Sequence, residues 1–312
     1  MQRGRPRRRC QILQVLWGRA VNVALRQDIR RRPFSKRSPS TLFILASLLI
    51  VPKPADSQPL SSEFMKVEVV EAGGVYDVFA ASLVHSDVTF TLEMELTNLK
   101  ASKSLPFIGT IRGKQREKIL QLELVNKKKG GGYECKYFYR IGNLNAEHDT
   151  TNIYQLPYEI GASHRVTQSY FGKLSHDENS HYAVDFAMSV GTKVCAAREG
   201  IVVGFYENSD QGGPNDKYLK LSNYILIRHS DLTIGAYYHL KNKGVLVRIG
   251  EKVARGQVIA YSGNTGFSFA PHLHFEVLKA KTGKESQSLP IKFKTRRGII
   301  SEPLQGKSYI AK

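Results

Sequence analysis

Residues 270–277 read APHLHFEV, an alternation of apolar and polar residues that is typical of a β-strand. Side chains two positions apart on a strand point to the same face, so His272, His274 and Glu276 are predicted to line one surface. Two imidazoles about 7 Å apart on one face each need a polar partner once they are desolvated. A metal ion meets that need, and a pair of exposed histidines is the alternative that so short a pattern leaves open.

The composition is that of a folded, basic protein. Its 312 residues are 41% hydrophobic, which is enough for two domains that each bury a core. The net charge is +19, and residues 1–40, with twelve Lys and Arg and one Asp, carry +11 of it, which leaves +8 for the rest. This remainder favours an anionic polymer or surface as a partner. The body of the chain has no basic stripe interleaved with aromatic residues, so we predict no nucleic-acid partner.

Residues 1–57 are predicted to be a basic lead and an export signal. Thr41–Val51 (TLFILASLLIV) is too short to span a bilayer, which takes about 20 residues, but it suits the core of a signal peptide. Small residues at 55–57 permit cleavage before Gln58. Three explanations of the long basic lead stay open. Residues 31–36 (RRPFSK) weakly resemble a twin-arginine export signal. The other two are a start site placed too far upstream and an amphipathic targeting segment. We therefore expect an exported protein of the periplasm or cell envelope, without a transmembrane span.

Residues 58–150 predict a first, β-rich domain. Short runs of β-branched and aromatic residues alternate with turn signals, a spacing typical of a small sandwich, here predicted to be immunoglobulin-like. His85 and His148 stand alone and are predicted to be solvated or capped. The predicted strands are Phe64–Val70, Val75–Val84, Val88–Leu96, Ile119–Val125 and Tyr133–Ile141.

Residues 151–290 predict a second all-β domain with hardly any helix, because glycine-rich turns separate its apolar runs. The final segment, residues 291–312, is basic and polar and is expected to be loosely held. The predicted strands are Val194–Ala197, Ile201–Tyr206, Tyr224–Arg228, Ile234–His239, Val258–Ser262 and Leu273–Leu278.

The three cysteines, Cys10, Cys135 and Cys195, form no C-x-x-C pair, so a thiolate zinc site has little support. Cys135 and Cys195 are either a single disulfide in an exported protein or two buried thiols. The second alternative is favoured, because a bridge between two domains needs Cα atoms within about 7 Å.

His181 and Asp185 are four residues apart and join the histidine pair as candidate metal ligands. On an extended strand their Cα atoms would be about 13 Å apart, which is too far for a shared ion. Co-ligation therefore requires a bend at Ala183, or His181 in a loop just ahead of the strand that carries Asp185. With His274 they supply two nitrogens and one oxygen, and three protein ligands plus water is the arrangement of catalytic zinc.

Five blocks of the second domain resemble, in order, the lysostaphin-type (LytM-like) zinc metalloendopeptidases, which cut the peptides of bacterial peptidoglycan. The resemblance covers about residues 160–285, and one departure is Ala183, where the family more often has Gly. The blocks are His181-x3-Asp185, Gly191-Thr192-Lys193-Val194 with Ala196-Ala197-Arg198-Glu199-Gly200, Tyr238-His239-Leu240, Gly263-Asn264-Thr265-Gly266 and His272-Leu273-His274-Phe275-Glu276.

This resemblance implies an antiparallel β lysostaphin-type fold, similar to the duplicated hybrid motif. It implies one Zn²⁺ per chain, held by His181, Asp185 and His274, with His239 and His272 as catalytic residues over the open position. The implied function is a secreted or periplasmic zinc endopeptidase, and we expect a monomer whose substrate is a peptidoglycan peptide and whose further partner is an anionic cell-wall polymer.

The residue types suggest roles within such a site. A neutral His272 would take the proton of the attacking water, and His239 would donate to the developing oxyanion. Glu276 would orient a ligand, or be a salt-bridged or exposed strand residue. The remaining histidines of this domain, His164, His176 and His229, are predicted to be groove or surface residues without a direct chemical role.

Two other functions stay open. One is a non-hydrolytic module of the same fold that binds the cell wall or regulates an amidase. The other is a secreted peptidase of Gly-rich host proteins. For a peptidoglycan hydrolase, both the D-Ala–diaminopimelate bond and the glycyl–glycine bond are open as the bond that is cut.

Overall fold

The computed structural model describes residues 64–72, 75–173, 176 and 179–312 and the short strands at residues 8–9, 11–14 and 26–29. These residues form β-strands throughout, with a single turn of 3-10 helix at Asp216–Tyr218, so the predicted all-β class is confirmed. No helix in the described ranges is long and apolar enough to cross a membrane. The predicted signal core at 41–51, its cleavage site and the twin-arginine-like segment lie outside the described residues.

In the described part of the chain, the N-terminal domain has ten strands in two sheets. In chain order they are β1 (Arg8–Arg9), β2 (Gln11–Gln14), β3 (Arg26–Ile29), β4 (Met65–Ala72), β5 (Val75–Ser82), β6 (Val88–Thr97), β7 (Leu99–Ala101), β8 (Phe107–Ile111), β9 (Arg116–Leu124) and β10 (Gly131–Ile141). One sheet has the order β1-β4-β5-β9-β7, and the other has the order β2-β10-β6-β8, with β3 also paired to β10. The five strands predicted for residues 58–150 are present, β7 and β8 are additional within that range, and β1, β2 and β3 lie in the segment predicted to be the basic lead.

Both sheets contribute to one hydrophobic core. Val78 and Leu122 from the first sheet and Phe90, Leu92 and Tyr137 from the second are almost fully buried in the same cluster. Because alternate residues of each strand point inward, partial apolar alternation in the sequence was enough to predict a sandwich-like domain. Its assignment to the immunoglobulin-like class stays a prediction.

The second domain is built around one large antiparallel sheet. Its strands in chain order are β11 (Ile153–Gln155), β12 (Ser163–Gln168), β13 (Val184–Ala187), β14 (Lys193–Cys195), β15 (Gly200–Tyr206), β16 (Gly212–Gly213), β17 (Tyr224–Arg228), β18 (Ile234–Tyr238), β19 (Leu240–Val245), β20 (Lys252–Val253), β21 (Val258–Ser262), β22 (Gly266–Phe267), β23 (His272–Ala280), β24 (Ser286–Ser288), β25 (Lys292–Thr295), β26 (Gly298–Ile300) and β27 (Ser308–Ile310). The large sheet has the order β20-β15-β17-β18-β23-β13-β12-β27, and β24 pairs with β23.

Strand β23 lies near the middle of this sheet and has two distinct faces. Leu273, Phe275 and Val277 are fully buried in the hydrophobic core of the domain. The period of two along a strand therefore turns His274 and Glu276 to the opposite face. The strand predicted from the sequence is thus confirmed, and its polar face is available to build a site.

The turn between β23 and β24 holds the second domain against the first. Gly283 N–H donates to Thr91 Oγ1 at 3.0 Å, and Arg140 donates to the carbonyl oxygen of Lys284 at 2.7 Å. A Cβ on Gly283 would lie 2.2 Å from the carbonyl oxygen of Phe138, so the backbones approach too closely for any other residue. The strand that carries the histidine pair is therefore anchored at its other end by the N-terminal domain.

Residues 291–312 are not loosely held, and that expectation was wrong. Strand β25 pairs with β11 and β27 pairs with β12, which ties the segment to the second domain at two places. Ile291 and Phe293 are buried in its core while Lys292 and Lys294 face solvent. The basic composition concealed a strand with ordinary alternation, because every second residue carries the charge.

We expect Phe293→Ala to destabilise the protein by about 3–5 kcal/mol, the usual cost of removing a buried phenyl ring. The ring is fully buried, with centroids 6.0 Å from Phe275 and 6.1 Å from Phe186. Lys294→Ala, at the next and exposed position, is the matched control and should change stability by less than about 0.5 kcal/mol. Urea unfolding of both variants measures the difference, and equal, small effects would mean that the segment is not part of the folded core.

Cys195 is a free, buried cysteine in β14. A bridge between Cys195 and Cys135 is therefore not formed. Cys135 is itself disulfide-bonded, so the favoured alternative of two buried thiols holds for Cys195 and is wrong for Cys135. Burial raises the pKa of the Cys195 thiol to about 11, so this side chain is a protonated core residue and not a nucleophile.

Candidate metal centre

Four residues on adjacent strands form a row across the large sheet. Gln168 on β12 is opposite Asp185 on β13, which is opposite His274 on β23, which in turn is opposite Tyr238 on β18. Directly opposed side chains on one face have Cβ atoms about 4.5–5.5 Å apart. The pairing register alone therefore brings Asp185 and His274 together, although they are far apart in the sequence.

Asp185 and His274 form a buried pair. His274 Nδ1 lies 2.9 Å from Asp185 Oδ1, and both residues are almost fully buried. Burial would raise the pKa of Asp185, but contacts with His176 and His274 outweigh it and hold that pKa far below its usual value. Burial would likewise lower the pKa of His274, but the carboxylates of Asp185 and Glu276 raise it to about 10. The site therefore contains an ionised carboxylate directly beside an imidazole nitrogen.

His176 is the third member of this group, and the sequence analysis missed it. Its Nε2 lies 3.3 Å from Asp185 Oδ1, and its ring centroid is 5.3 Å from that of His274. Its Nδ1 lies 2.7 Å from the carbonyl oxygen of Ser169, which can only accept, so Nδ1 carries the proton. The lone pair of the ring is therefore on Nε2, the nitrogen that faces Asp185. The prediction that His176 is a groove or surface residue was wrong, since it is buried.

These three residues fit a metal ion. Among the described residues, His176, Asp185 and His274 offer ligand atoms that all lie within 4.8 Å of one another. Tetrahedral zinc with bonds of about 2.0–2.1 Å would place its ligand atoms about 3.4 Å apart, close to the observed contacts with Asp185 Oδ1. His176 Nε2 is also buried without a hydrogen-bond partner in the described part of the chain, an unmet need that a cation would satisfy. Two nitrogens and a carboxylate oxygen are ligands that zinc accepts.

His239 and His272 stand beside this group with their rings 4.5 Å apart, and the His239 ring is 6.0 Å from that of His274. His239 Nδ1 lies 2.7 Å from the carbonyl oxygen of Thr265, and His272 Nδ1 lies 2.8 Å from that of Ala270. Both Nδ1 atoms therefore carry the proton, so in the neutral rings the Nε2 atoms have the lone pairs.

His239 is held in an uncommon backbone conformation. It directly follows β18, has φ of 62° and donates its N–H to Ser222 Oγ at 3.0 Å. Positive φ is uncommon for a residue with a side chain and is often found at functional sites. Burial lowers the pKa of His239 well below its usual value, and the neighbouring His272 and His274 lower it further, so the ring is neutral.

His181 does not join this group. It lies in the turn just before β13, the position that the spacing required, but its ring packs against Phe171 with a centroid distance of 5.3 Å. The structure thus brings together four of the five predicted site residues, which are Asp185, His239, His272 and His274. The assignment of His181 as a metal ligand stays a prediction.

The remaining histidines lie outside the site. His164 is half-buried with its ring 4.7 Å from that of Tyr158, and its Nδ1 is 2.9 Å from the carbonyl oxygen of Ala187. His229 directly follows β17 and is buried, and this burial lowers its pKa to about 4. It is thus a neutral core residue, and its prediction as a groove or surface residue was wrong. His85 is exposed, as predicted.

The fold and the site define a class: an antiparallel β domain with a buried two-histidine, one-carboxylate centre and two further histidines beside it, as in zinc-dependent hydrolases. Residues 179–287 match the model of peptidase family M23. The chain therefore carries a domain of peptidase family M23, and the resemblance to lysostaphin-type peptidases is confirmed.

Two of the similar proteins differ in the bond that their names specify. Peptidoglycan DD-endopeptidase ShyA of Vibrio cholerae is 31% identical over 185 residues, which are 54% of this chain and 40% of that protein. Glycyl-glycine endopeptidase ALE-1 of Staphylococcus capitis is 34% identical over 124 residues, 39% of this chain and 31% of that protein. The chain thus spans two fifths or less of the length of these curated relatives.

Among solved structures, the catalytic domain of lysostaphin from Staphylococcus simulans aligns with 30% sequence identity. The alignment covers 41% of this chain and 87% of that chain, with a TM-score of 0.29.

Proposed function

We propose that this protein is a zinc metalloendopeptidase that hydrolyses peptide bonds in bacterial peptidoglycan. The observation that carries the proposal is the buried Asp185–His274 pair, with an imidazole nitrogen of His176 at 3.3 Å from the same carboxylate and the rings of His239 and His272 alongside. Relatives named as peptidoglycan DD-endopeptidases and glycyl-glycine endopeptidases support the substrate class.

Asp185, His274 and His176 would hold one zinc ion per chain. The bound ion would supply Lewis acidity and lower the pKa of a coordinated water to about 7. The sequence assigned the third position to His181. His176 is favoured here because the carbonyl of Ser169 fixes the tautomer that presents its Nε2 as a lone pair, a common way of orienting a ligand histidine.

The neighbouring histidines would move the protons. The sequence analysis gave the base role to His272 and the donor role to His239, and the contacts favour the reverse. His239 has its Nδ1 proton on Thr265 and has no carboxylate in hydrogen-bond contact, so its Nε2 is suited to accept a proton from the attacking water. His272 Nε2 lies 3.9 Å from Asp185 Oδ1 and so faces the metal group. Protonated His272 would donate to the developing oxyanion and then to the leaving amine.

Export to the periplasm or cell envelope belongs to this proposal, since peptidoglycan lies outside the cytoplasmic membrane. The apolar run at 41–51 supports it from the sequence. The positive charge of the chain is suited to an anionic cell-wall polymer as a further partner. A monomer stays a prediction.

The test measures zinc per chain and the digestion of purified peptidoglycan by the full chain. We expect one zinc per chain and release of peptides, with both lost in His274→Ala and activity lost in Asp185→Asn, because each removes a ligand from a three-ligand centre. His85→Ala, an exposed histidine of the N-terminal domain, is the matched control and should change neither quantity. A folded, zinc-free and inactive wild type would overturn the proposal.

Mass spectrometry of the released fragments identifies the bond. Peptidoglycan with direct cross-links and peptidoglycan with glycine bridges are digested in parallel, since the two relatives differ in the bond that their names specify. Cleavage of a Gly-Gly peptide without cleavage of either cell wall would favour a peptidase of other Gly-rich proteins.

A further inference from the structure

Glu276 is a buried carboxylate that the proposed chemistry does not use. It follows His274 by two residues on β23, points to the same face and is 2% exposed. A buried carboxylate is costly unless a cation or hydrogen-bond donors compensate it. Among the described residues, no Lys or Arg forms an ion pair with Glu276, and its Oε2 has no hydrogen-bond partner. The alternative of an exposed residue is therefore wrong, and the ion pair that Glu276 does form is with His274.

Glu276 contacts the far side of the His274 ring. Glu276 Oε1 lies 3.5 Å from His274 Nε2, while His274 Nδ1 lies 2.9 Å from Asp185 Oδ1. The imidazole thus stands between two carboxylates, one on the side of the metal group and one behind it. A neutral imidazole has one N–H and one lone pair, so a carboxylate that accepts from Nε2 leaves the lone pair on Nδ1.

The residue opposite Glu276 on the neighbouring strand is apolar. Ala236 on β18 pairs with it across the sheet, and its methyl group offers no charge or hydrogen bond. The paired residue thus does not compensate the carboxylate, whereas the His274 ring beside it can.

We propose that Glu276 is a positioning residue for the metal centre. It accepts the Nε2–H of His274, fixes the tautomer that presents Nδ1 to the metal and holds the ring plane in place. This inference rests on the proposed function. It is a carboxylate–histidine–metal arrangement, in which loss of the outer carboxylate typically weakens metal affinity by about 10–100-fold.

The experiment compares zinc affinity, by competition with a chromophoric chelator, in the full-length wild type, Glu276→Leu and Glu276→Gln. Leucine has no acceptor, so we expect the zinc Kd of Glu276→Leu to rise by about 10–100-fold. Glutamine keeps an acceptor oxygen of the same reach but loses the negative charge, so Glu276→Gln should raise the zinc Kd by about threefold to tenfold. If the leucine variant does not fold, a Kd for the glutamine variant equal to that of the wild type overturns the inference. Lys279→Gln, on the same strand but without contact to the metal group, is the matched control and should keep the wild-type Kd.

A second readout is independent of affinity. Long-range ¹H–¹⁵N spectra of the zinc-loaded proteins should show His274 protonated at Nε2 in the wild type, with the Nε2–H signal shifted or exchange-broadened in Glu276→Leu. Wild-type zinc affinity together with an unchanged Nε2–H signal in Glu276→Leu would overturn the inference and leave the proposed function intact. Absence of zinc from the wild type would overturn both.

Discussion

His239→Ala should lower the kcat for peptidoglycan peptides by about 10²–10⁴-fold, the usual contribution of a general base, while one zinc per chain is retained. The His239 ring is 4.5 Å from that of His272 and 6.0 Å from that of His274, and Thr265 fixes its proton on Nδ1. The lone pair on Nε2 is lost with the ring, whereas the metal-holding atoms of Asp185 and His274 are untouched. The KM should change little, because a proton acceptor acts mainly in the transition state.

The control is His164→Ala, another histidine of the same domain. Its ring packs against Tyr158 at 4.7 Å and takes no part in the metal group, so kcat should stay within about twofold. Steady-state kinetics on a defined peptide together with zinc analysis separates the roles. Loss of zinc in His239→Ala would make this residue a ligand, and full activity would remove it from the catalytic machinery.

Much of the site could be predicted because strands have a short period. His272 and His274 share a face through a spacing of two, and the neighbouring apolar residues Leu273 and Phe275 had to face the core. Asp185 could be placed at the start of a strand after a loop, which is where β13 begins. The pairing of β13 with β23 is not derivable from the spacing itself.

His176 could not be found in this way. It lies in a loop, nine residues before Asp185, where no period relates sequence distance to direction in space. The sequence favoured His181 as the ligand because only three residues separate it from Asp185. The signal that distinguishes the two histidines is tertiary: the carbonyl of Ser169 orients one ring, and Phe171 packs against the other. His176 also lies just ahead of the residues that match the family model.

Burial was the second property that the sequence did not reveal. Glu276 was placed on the correct face, yet its near-complete burial is a result of tertiary packing that its position on the strand does not predict. For the C-terminal segment the error was the opposite one: it was expected to be loosely held because it is rich in lysine, although its Phe293 is fully buried. In both cases the sequence pattern predicted which face of the strand a side chain occupies, whereas the packing of the folded protein determined how much of that side chain is exposed.

His176→Ala and His181→Ala should therefore differ sharply in zinc content. We expect His176→Ala to lose stoichiometric zinc and to reduce activity to background, since removing one of three ligands destroys the centre. His181→Ala should keep one zinc per chain and most of its activity, because the ring contacts Phe171 and lies outside the group of ligand atoms that are within 4.8 Å of one another. Zinc analysis after dialysis, together with peptidoglycan digestion, measures both quantities.

The matched design makes each outcome decisive. Both substitutions remove one imidazole, both positions lie ahead of β13, and His85→Ala corrects for any general effect of losing a histidine. The reverse result, with zinc lost only in His181→Ala, would confirm the ligand set predicted from the sequence and assign His176 a position beside the centre. Loss of zinc in both variants would place both imidazoles at the metal, where with Asp185 and His274 they would fill all four positions of a tetrahedral ion and displace the water that hydrolysis needs. Thermal unfolding of the zinc-free proteins then distinguishes ligand loss from misfolding, because a missing ligand lowers Tm only when zinc is present.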